Sequence, residues 1–139
     1  MRRLALMLFT LCLALPAAAE RMQRFGDLEV HYNAFNSGFL QPDTAAAAGL
    51  VRSKTLGVVN VTVLKDGKPA PAQVGGEIKD LLGKRTPLQF KEVRESGALY
   101  HLAQFPIGSR EVLSFSLDIR GTDGEAHRID FNQEIFPDE

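Results

Sequence analysis

Four side chains beyond the first 20 residues could ligate a soft metal ion: Met22, His31, His101 and His127. Imidazole nitrogens suit copper and zinc, whereas a thioether sulfur favours copper(I). No two of these histidines fall within a short motif, and Met22 is the only methionine after the first segment of the chain. The spacing therefore favours three separate imidazoles, with no bound metal and no other cofactor. Carriage of copper or zinc is kept as the alternative function.

The residues that hydrolytic or phosphate chemistry would need are not arranged in the usual motifs. The sequence has neither a G-x-S-x-G nucleophile elbow nor an H-E-x-x-H metal-binding pair. Gly75-Gly76 is not followed by the Lys-Ser/Thr pair of a phosphate-binding loop. We therefore predict that the chain is not an enzyme.

The segment from Asn36 to Arg52 is the strongest candidate for a binding site. It interrupts a chain that otherwise alternates polar and apolar residues, and loops on a rigid framework often carry function. It places apolar contacts beside hydrogen-bonding groups, the mixture that recognition sites use. The predicted site residues are Phe35, Asn36, Phe39, Leu40, Asp43 and Arg52. The alternative is a structural cap, in which the segment closes the open end of a sandwich with its aromatic side chains buried.

A short helix is predicted within this segment. Pro42 suits a first helical turn, Asp43 complements the positive end of a helix, and alanines with high helix propensity follow. Gly49 favours the left-handed conformation that ends helices. A helix of about seven residues is too short to persist alone in water. We therefore expect neighbouring apolar side chains, such as Leu40 and Leu50, to hold it.

Strands must position this segment, because period-2 alternation dominates the rest of the chain. The clearest example is VLSFSLDIR (residues 112–120), and LQFKEV (residues 88–93) is also predicted as one strand. Gly75-Gly76 inside another strand predicts a bulge or a close backbone approach. About seven such strands, separated by turn residues, are typical of a β-sandwich. We predict an all-β protein: one antiparallel Ig-like or fibronectin-like sandwich with a short helix after its first strand.

The first 19 residues have the pattern of a secretory signal peptide. Arg2 and Arg3 precede an apolar run from Leu4 to Leu15, and small residues end at Ala19. The run is well short of the roughly 20 residues that span a bilayer as a helix. We predict cleavage after Ala19, export to the periplasm, no stable membrane insertion, and a single domain over residues 20–139.

The net charge of the chain indicates which classes of partner to expect. Removal of Arg2 and Arg3 leaves 14 basic residues against 17 acidic residues, a net charge of −3. Without a basic block, nucleic acid or an anionic membrane is not expected as the main partner.

Cys12 is the only cysteine and lies in the predicted signal peptide, so packing rather than disulfides must stabilise the domain.

Several motifs resemble those of one exported proteobacterial family, the domain of unknown function 4426. They are HYNAF (residues 31–35), NVTVL (60–64), DLLG (80–83) and ALYHLAQFP (98–106). The resemblance extends from about Phe25 to Phe136, and DLLG differs from the family's NLLG at its first residue. It implies an exported, β-rich, single-domain protein and brings no activity, cofactor or catalytic residue. The residues themselves favour a non-catalytic module that binds a periplasmic protein or peptide through the region from His31 to Ser53.

Overall fold

The computed structural model describes residues 21–122 and 124–138, and the predicted signal peptide lies outside them. The described chain contains ten strands, one α-helix and one 3-10 turn. The strands are β1 Arg21–Phe25, β2 Leu28–Asn36, β3 Leu56–Lys65, β4 Lys68–Pro69, β5 Gln73–Lys79, β6 Arg85–Leu88, β7 Lys91–Glu95, β8 Ala98–Pro106, β9 Glu111–Arg120 and β10 Ala126–Ile135. The 3-10 turn is Ser37–Phe39, and the helix, α1, is Pro42–Ala48.

The strands form two antiparallel sheets. The first sheet has the order β1-β2-β3-β8-β7, with β4 paired to β3, and the second sheet has the order β10-β9-β5-β6. Buried side chains from both sheets form one core. The ring of Phe115 in β9 stacks on Phe131 with centroids 4.7 Å apart and meets the edge of Phe105 at 5.5 Å. The prediction of an all-β chain with one short helix is confirmed.

Strand alternation predicts correctly which side chains face this core. In β3, Val59, Val61 and Val63 belong to the core, while Asn60 and Thr62 point to the opposite face. In β9 the predicted inward residues Leu113 to Ile119 are buried at every second position. Because successive side chains point to opposite faces of a sheet, one buried face fixes the register of each strand.

The sequence predicts about seven strands, three fewer than the structure contains. The strand β1 lies at a sheet edge with its three central residues exposed, so it has no apolar alternation to detect. The strand β4 has only two residues. The predicted strand over residues 88–93 is divided between two sheets: it ends β6 at Leu88 and begins β7 at Lys91. The apolar positions change phase here, from Leu88 and Phe90 to Val93, but the run has no turn residue that would mark the change of sheet.

The helix prediction is confirmed in its bounds and its ends. Gly49 adopts the left-handed conformation, with φ 67° and ψ 29°, and its N–H donates to the carbonyl of Ala46. The Leu50 N–H donates to the Ala45 carbonyl at 2.8 Å, which completes the stop. No helix among the described residues is long and apolar enough to cross a membrane.

The structural-cap alternative expects the helix to close the open end of the two sheets, but the structure places the helix elsewhere. It lies on the outer face of the first sheet, where a second buried cluster forms apart from the main core. That cluster consists of Leu40, Ala45, Ala48, Val58, Val93 and Leu102. The alanine side chains are small, so the helix approaches the sheet closely and is stabilised by this contact rather than by its own length.

Candidate binding site

The predicted site segment is fixed at its two ends by one buried hydroxyl. The Ser37 side chain is fully buried; its Oγ donates to the Ser53 carbonyl and accepts the Ser53 N–H, both at 2.8 Å. Arg52 adds a hydrogen bond from its guanidinium to the Gly38 carbonyl at 3.0 Å. The role of Ser37 was not predicted, because a lone serine in a polar loop gives no sequence signal of burial.

Adjacent residues in this segment have opposite environments. Leu40 is 7% exposed and packs in the cluster beneath α1, whereas Phe39 is 76% exposed. Phe35, the other predicted aromatic, is half-buried against the same cluster. Phe39 is therefore available for contact with a partner, while Leu40 stabilises the fold.

Phe35, Phe39 and Leu40 line a groove of about 360 Å³ between α1 and the outer face of the first sheet. The other lining residues are Gln41, Thr44, Asn60, Glu95, Ser96, Tyr100 and Leu102. At one edge, the Thr44 hydroxyl donates to Glu95 Oε2 at 2.8 Å, so the helix is tied to the end of β7. Apolar walls and a carboxylate thus meet in one concave surface.

A second cavity of about 330 Å³ adjoins the first and shares Asn60 and Tyr100 with it. Its floor consists of polar side chains on the outer face of β2 and β3, including His31, Asn33 and Thr62. Asn33 and Asn60 are directly paired across the two strands. Asn60 Oδ1 is buried and accepts no hydrogen bond from the described residues. We call the two cavities together the outer-face groove.

Three predicted site residues do not line this groove. Asn36 Nδ2 donates to the Phe136 carbonyl and to Asp138 Oδ1, both at 2.9 Å, and so attaches the chain after β10 to the end of β2. Asp43 is exposed in the first turn of α1, and Arg52 is exposed while bonded to Gly38. The structure thus brings together half of the predicted site and adds polar residues from neighbouring strands.

Most of the potential metal ligands lie on strands that do not pair with each other. The His127 ring stacks on Phe25 with centroids 4.4 Å apart. His101 is buried, and burial lowers its pKa, an effect that nearby Glu92 partly offsets. Met22 and His31 are the exception, because they are direct partners across β1 and β2.

The surroundings of His31 provide few further ligands. Its Nε2 lies 3.7 Å from Glu29 Oε1, and the same carboxylate oxygen lies 3.3 Å from Arg24. In the part of the chain that the structure describes, no group of three or more His, Cys, Asp or Glu side chains could hold a metal ion.

Solved structures show what the fold resembles. A protein of the DUF4426 family from Pseudomonas aeruginosa PAO1 is 55% identical, with a TM-score of 0.84 over 89% of this chain and all of that chain. FetP of uropathogenic Escherichia coli strain F11 is 11% identical, with a TM-score of 0.63 over 87% of this chain and 96% of its own. A copper-bound variant of FetP is 10% identical, with a TM-score of 0.58 over 86% of this chain and 95% of its own. At these identities the likeness to FetP concerns the fold alone.

Family membership follows from sequence. No curated protein matches the chain. The model of the domain of unknown function DUF4426 matches residues 22–138, almost the whole of the described chain. With the 55% identical structure, this match confirms the resemblance carried by the sequence motifs. The chain belongs to the DUF4426 family.

Proposed function

We propose that the chain is a non-catalytic binding module that takes a protein or peptide segment into the outer-face groove. The observation that carries the proposal is the exposed ring of Phe39 above a groove lined by Phe35, Leu40 and Tyr100. The turn that bears Phe39 is held by the bonds of Ser37 to Ser53 and of Arg52 to Gly38. Because the backbone of this turn is held before binding, little backbone entropy is lost when a partner covers the ring.

The polar floor of the groove suits an extended peptide. Its backbone N–H groups would donate to the Asn33 side chain, while an apolar side chain packs against Phe39. This division, with main-chain hydrogen bonds for affinity and a pocket for one side chain, is common in peptide recognition. Glu95 at the edge favours a ligand with a positive charge at that end.

Site-specific photo-crosslinking tests this function. A benzoylphenylalanine placed at Phe39 is expected to capture one partner in envelope extracts, and the same group at Val51 is not. Val51 is a matched control because it lies in the same segment and is 59% exposed, but does not line the groove. The purified partner should then bind Val51→Ala normally and Phe39→Ala at least tenfold more weakly. Equal binding by the two folded variants would contradict the proposed site.

We extend the proposal to the location of the protein and to the type of β-sandwich. We infer that residues 1–19 are removed and that the remaining chain is one Ig-like or fibronectin-like sandwich in the periplasm. Two sheets around a shared core, and the likeness to FetP, which was expressed in the periplasm, support this inference. Mass spectrometry of the protein from cell envelopes is expected to find Glu20 at the N-terminus.

A copper-binding role at Met22 and His31 is the second candidate function. Their cross-strand pairing places a thioether and an imidazole on one face of the first sheet, a donor pair that suits copper(I). The fold's likeness to copper-bound FetP supports this candidate, while the shortage of further ligands weighs against it. Titration with copper(I) and zinc(II) tests it: the His31 imidazole signals should shift with copper in the native protein and not in Met22→Leu. No copper binding at micromolar concentration would dismiss this function.

A further inference from the structure

The turn between β5 and β6 carries the two most exposed large apolar side chains among the described residues. Leu81 is 77% exposed and Leu82 is 95% exposed. They belong to the DLLG motif, which the outer-face groove does not use. Leucines so open to water on a convex tip are suited to insertion into an apolar environment outside the molecule.

The turn that carries the leucines is internally bonded. Asp80 Oδ1 accepts the N–H groups of Leu82 at 3.0 Å and of Lys84 at 2.8 Å. The main chain closes the turn with Asp80 N–H to the Lys84 carbonyl at 3.0 Å and Gly83 N–H to the Asp80 carbonyl at 3.1 Å. Gly83 adopts φ 87°, which favours glycine. The leucines are therefore held outward by the structure of the turn, and little order must be gained on docking.

Two lysines flank this apolar tip. Lys79 and Lys84 are exposed at its two sides, and Arg85 follows in an ion pair with Glu77. The carboxylate of Asp80 is turned into the turn, where it accepts the two N–H groups. The tip thus joins an apolar crest to basic flanks, although the whole chain has a net charge of −1.

A second apolar side chain projects from the same end of the second sheet. Phe136 follows the end of β10, where Ile135 is paired with Glu111, the first residue of β9. The strand β5 ends beside the same part of β9, with Lys79 paired to Ser114. Phe136 is 54% exposed, and the guanidinium of Arg110 lies 5.8 Å from its ring centroid. Arg110 is at the same time in an ion pair with Glu134, at 2.6 Å. A broad, flat surface could contact both apolar positions, with Lys79 and Lys84 as the basic residues beside the leucines.

We propose that this end of the second sheet docks on the surface of an anionic phospholipid bilayer. Leu81 and Leu82 enter the boundary between headgroups and acyl chains, and Lys79 and Lys84 contact lipid phosphates. Such peripheral contact combines buried apolar area with attraction to anionic lipid, and it needs no spanning helix. A flat and deformable lipid surface fits a convex tip with basic flanks better than a preformed protein pocket, which would have to match both Leu82 and Phe136.

Vesicle co-sedimentation tests the role of the leucines. Purified protein is expected to bind vesicles of phosphatidylglycerol and phosphatidylethanolamine more strongly than vesicles of phosphatidylcholine. Leu82→Ser should lower the partition coefficient about tenfold, and Leu81→Ser with Leu82→Ser should abolish binding. Val51→Ser, an exposed apolar position outside the turn, should bind as the native protein does. All three positions, Leu81, Leu82 and Val51, are on the surface, so thermal unfolding should be unchanged.

The charge requirement is tested with a second pair of variants. Lys84→Gln should weaken binding to anionic vesicles several-fold, whereas Lys68→Gln, in the hairpin between β3 and β4, should not. Absence of vesicle binding would overturn the proposal, as would binding that survives both leucine substitutions. Equal binding to anionic and neutral vesicles would overturn the assignment of anionic lipid as the partner. None of these outcomes depends on the function of the outer-face groove.

Discussion

The outer faces of the two sheets differ although their strands have the same alternating pattern. On the first sheet, Val58 and Leu102 are buried because α1 packs over them. On the second sheet, the corresponding face of β9 and β10 carries Ser116, Arg128 and Asp130 in an exposed hydrogen-bonded group. The second sheet therefore has a solvated face of the usual kind, and the first has a covered face beside a groove.

The difference shows that alternation predicts which side chains share a face of a strand, but does not predict what covers that face. Both β3 and β9 separate inward from outward residues correctly. Only a segment outside the strands, residues 37–55, makes the outer face of the first sheet a site. Each prediction below alters one side of this comparison.

The largest effect is expected where α1 covers the first sheet. Leu102→Ala removes a side chain that is buried in the second cluster, and should lower the free energy of unfolding by about 3 kcal/mol. Ser114→Ala, on the outer face of β9, should change it by less than about 0.5 kcal/mol. Urea unfolding monitored by circular dichroism measures both. A cost below about 1 kcal/mol for Leu102→Ala would mean that α1 contributes little to stability.

Substitution of the two neighbouring glycines of β5 allows the two faces of the second sheet to be compared within one strand. A Cβ on Gly76 would lie 2.3 Å from the Ser116 carbonyl oxygen and 3.2 Å from the Cα of Leu117, whereas one on Gly75 would meet nothing within 4 Å. Gly76→Ala should therefore cost about 2 kcal/mol, and Gly75→Ala should be neutral or slightly stabilising. Thermal and urea unfolding of the two variants give the comparison. Equal costs would show that the close approach to β9 is not a constraint.

Those glycines also show how far sequence reasoning extends. The pair predicts a bulge or a close backbone approach, and the structure shows the close approach with regular pairing to β9. The pair alone does not show that Gly76 makes the approach and Gly75 does not. The helix bounds were predictable because Pro42 and Gly49 act locally. Its position was not, because burial of small alanines against Val58 is a contact between residues distant in the chain.

The candidate site was predictable to a similar extent. A mixture of apolar and polar residues marked the segment around Phe39, but exposure of Phe39 and burial of Leu40 depend on how the turn meets the sheet. Alternation places Asn60 on the strand face opposite to Val59 and Val61, whereas its pairing with Asn33 at the floor of a groove required strand register. The exposure of Leu82 had no sequence signal, since apolar residues in a turn are equally compatible with burial.

A smaller effect on the free energy of unfolding, which depends on pH, is expected from His101 on the inner face of the first sheet. Burial lowers its pKa in the folded protein, so below pH 6.5 the unfolded chain binds a proton that the folded chain resists. Stability should therefore fall as the pH decreases from 7.5 to 5, by at most about 1.4 kcal/mol per pH unit for one proton. Urea unfolding across this range measures the slope, which should be shallower in His101→Leu.

Glu92 provides the matched variant for this test. It faces His101 across β7 and β8, and its charge partly offsets the lowered pKa of the imidazole. Glu92→Gln should therefore extend the range over which stability decreases with acid, the opposite of the effect of His101→Leu. Parallel pH profiles for all three proteins would show that His101 is not the group responsible.

The smallest effect is expected on the solvated outer face of the second sheet. The Ser116 hydroxyl donates to Asp130 at 2.7 Å and, with Arg128, lowers the pKa of that carboxyl. This contribution to stability is present above the carboxyl's ordinary pKa and is lost as the pH falls through the lowered value. Because Asp130 is exposed, water screens the interaction, and Asp130→Asn should change the free energy of unfolding by less than about 0.5 kcal/mol at pH 7. A loss above about 1 kcal/mol in urea unfolding would mean that this face, too, contributes to stability, although no helix covers it.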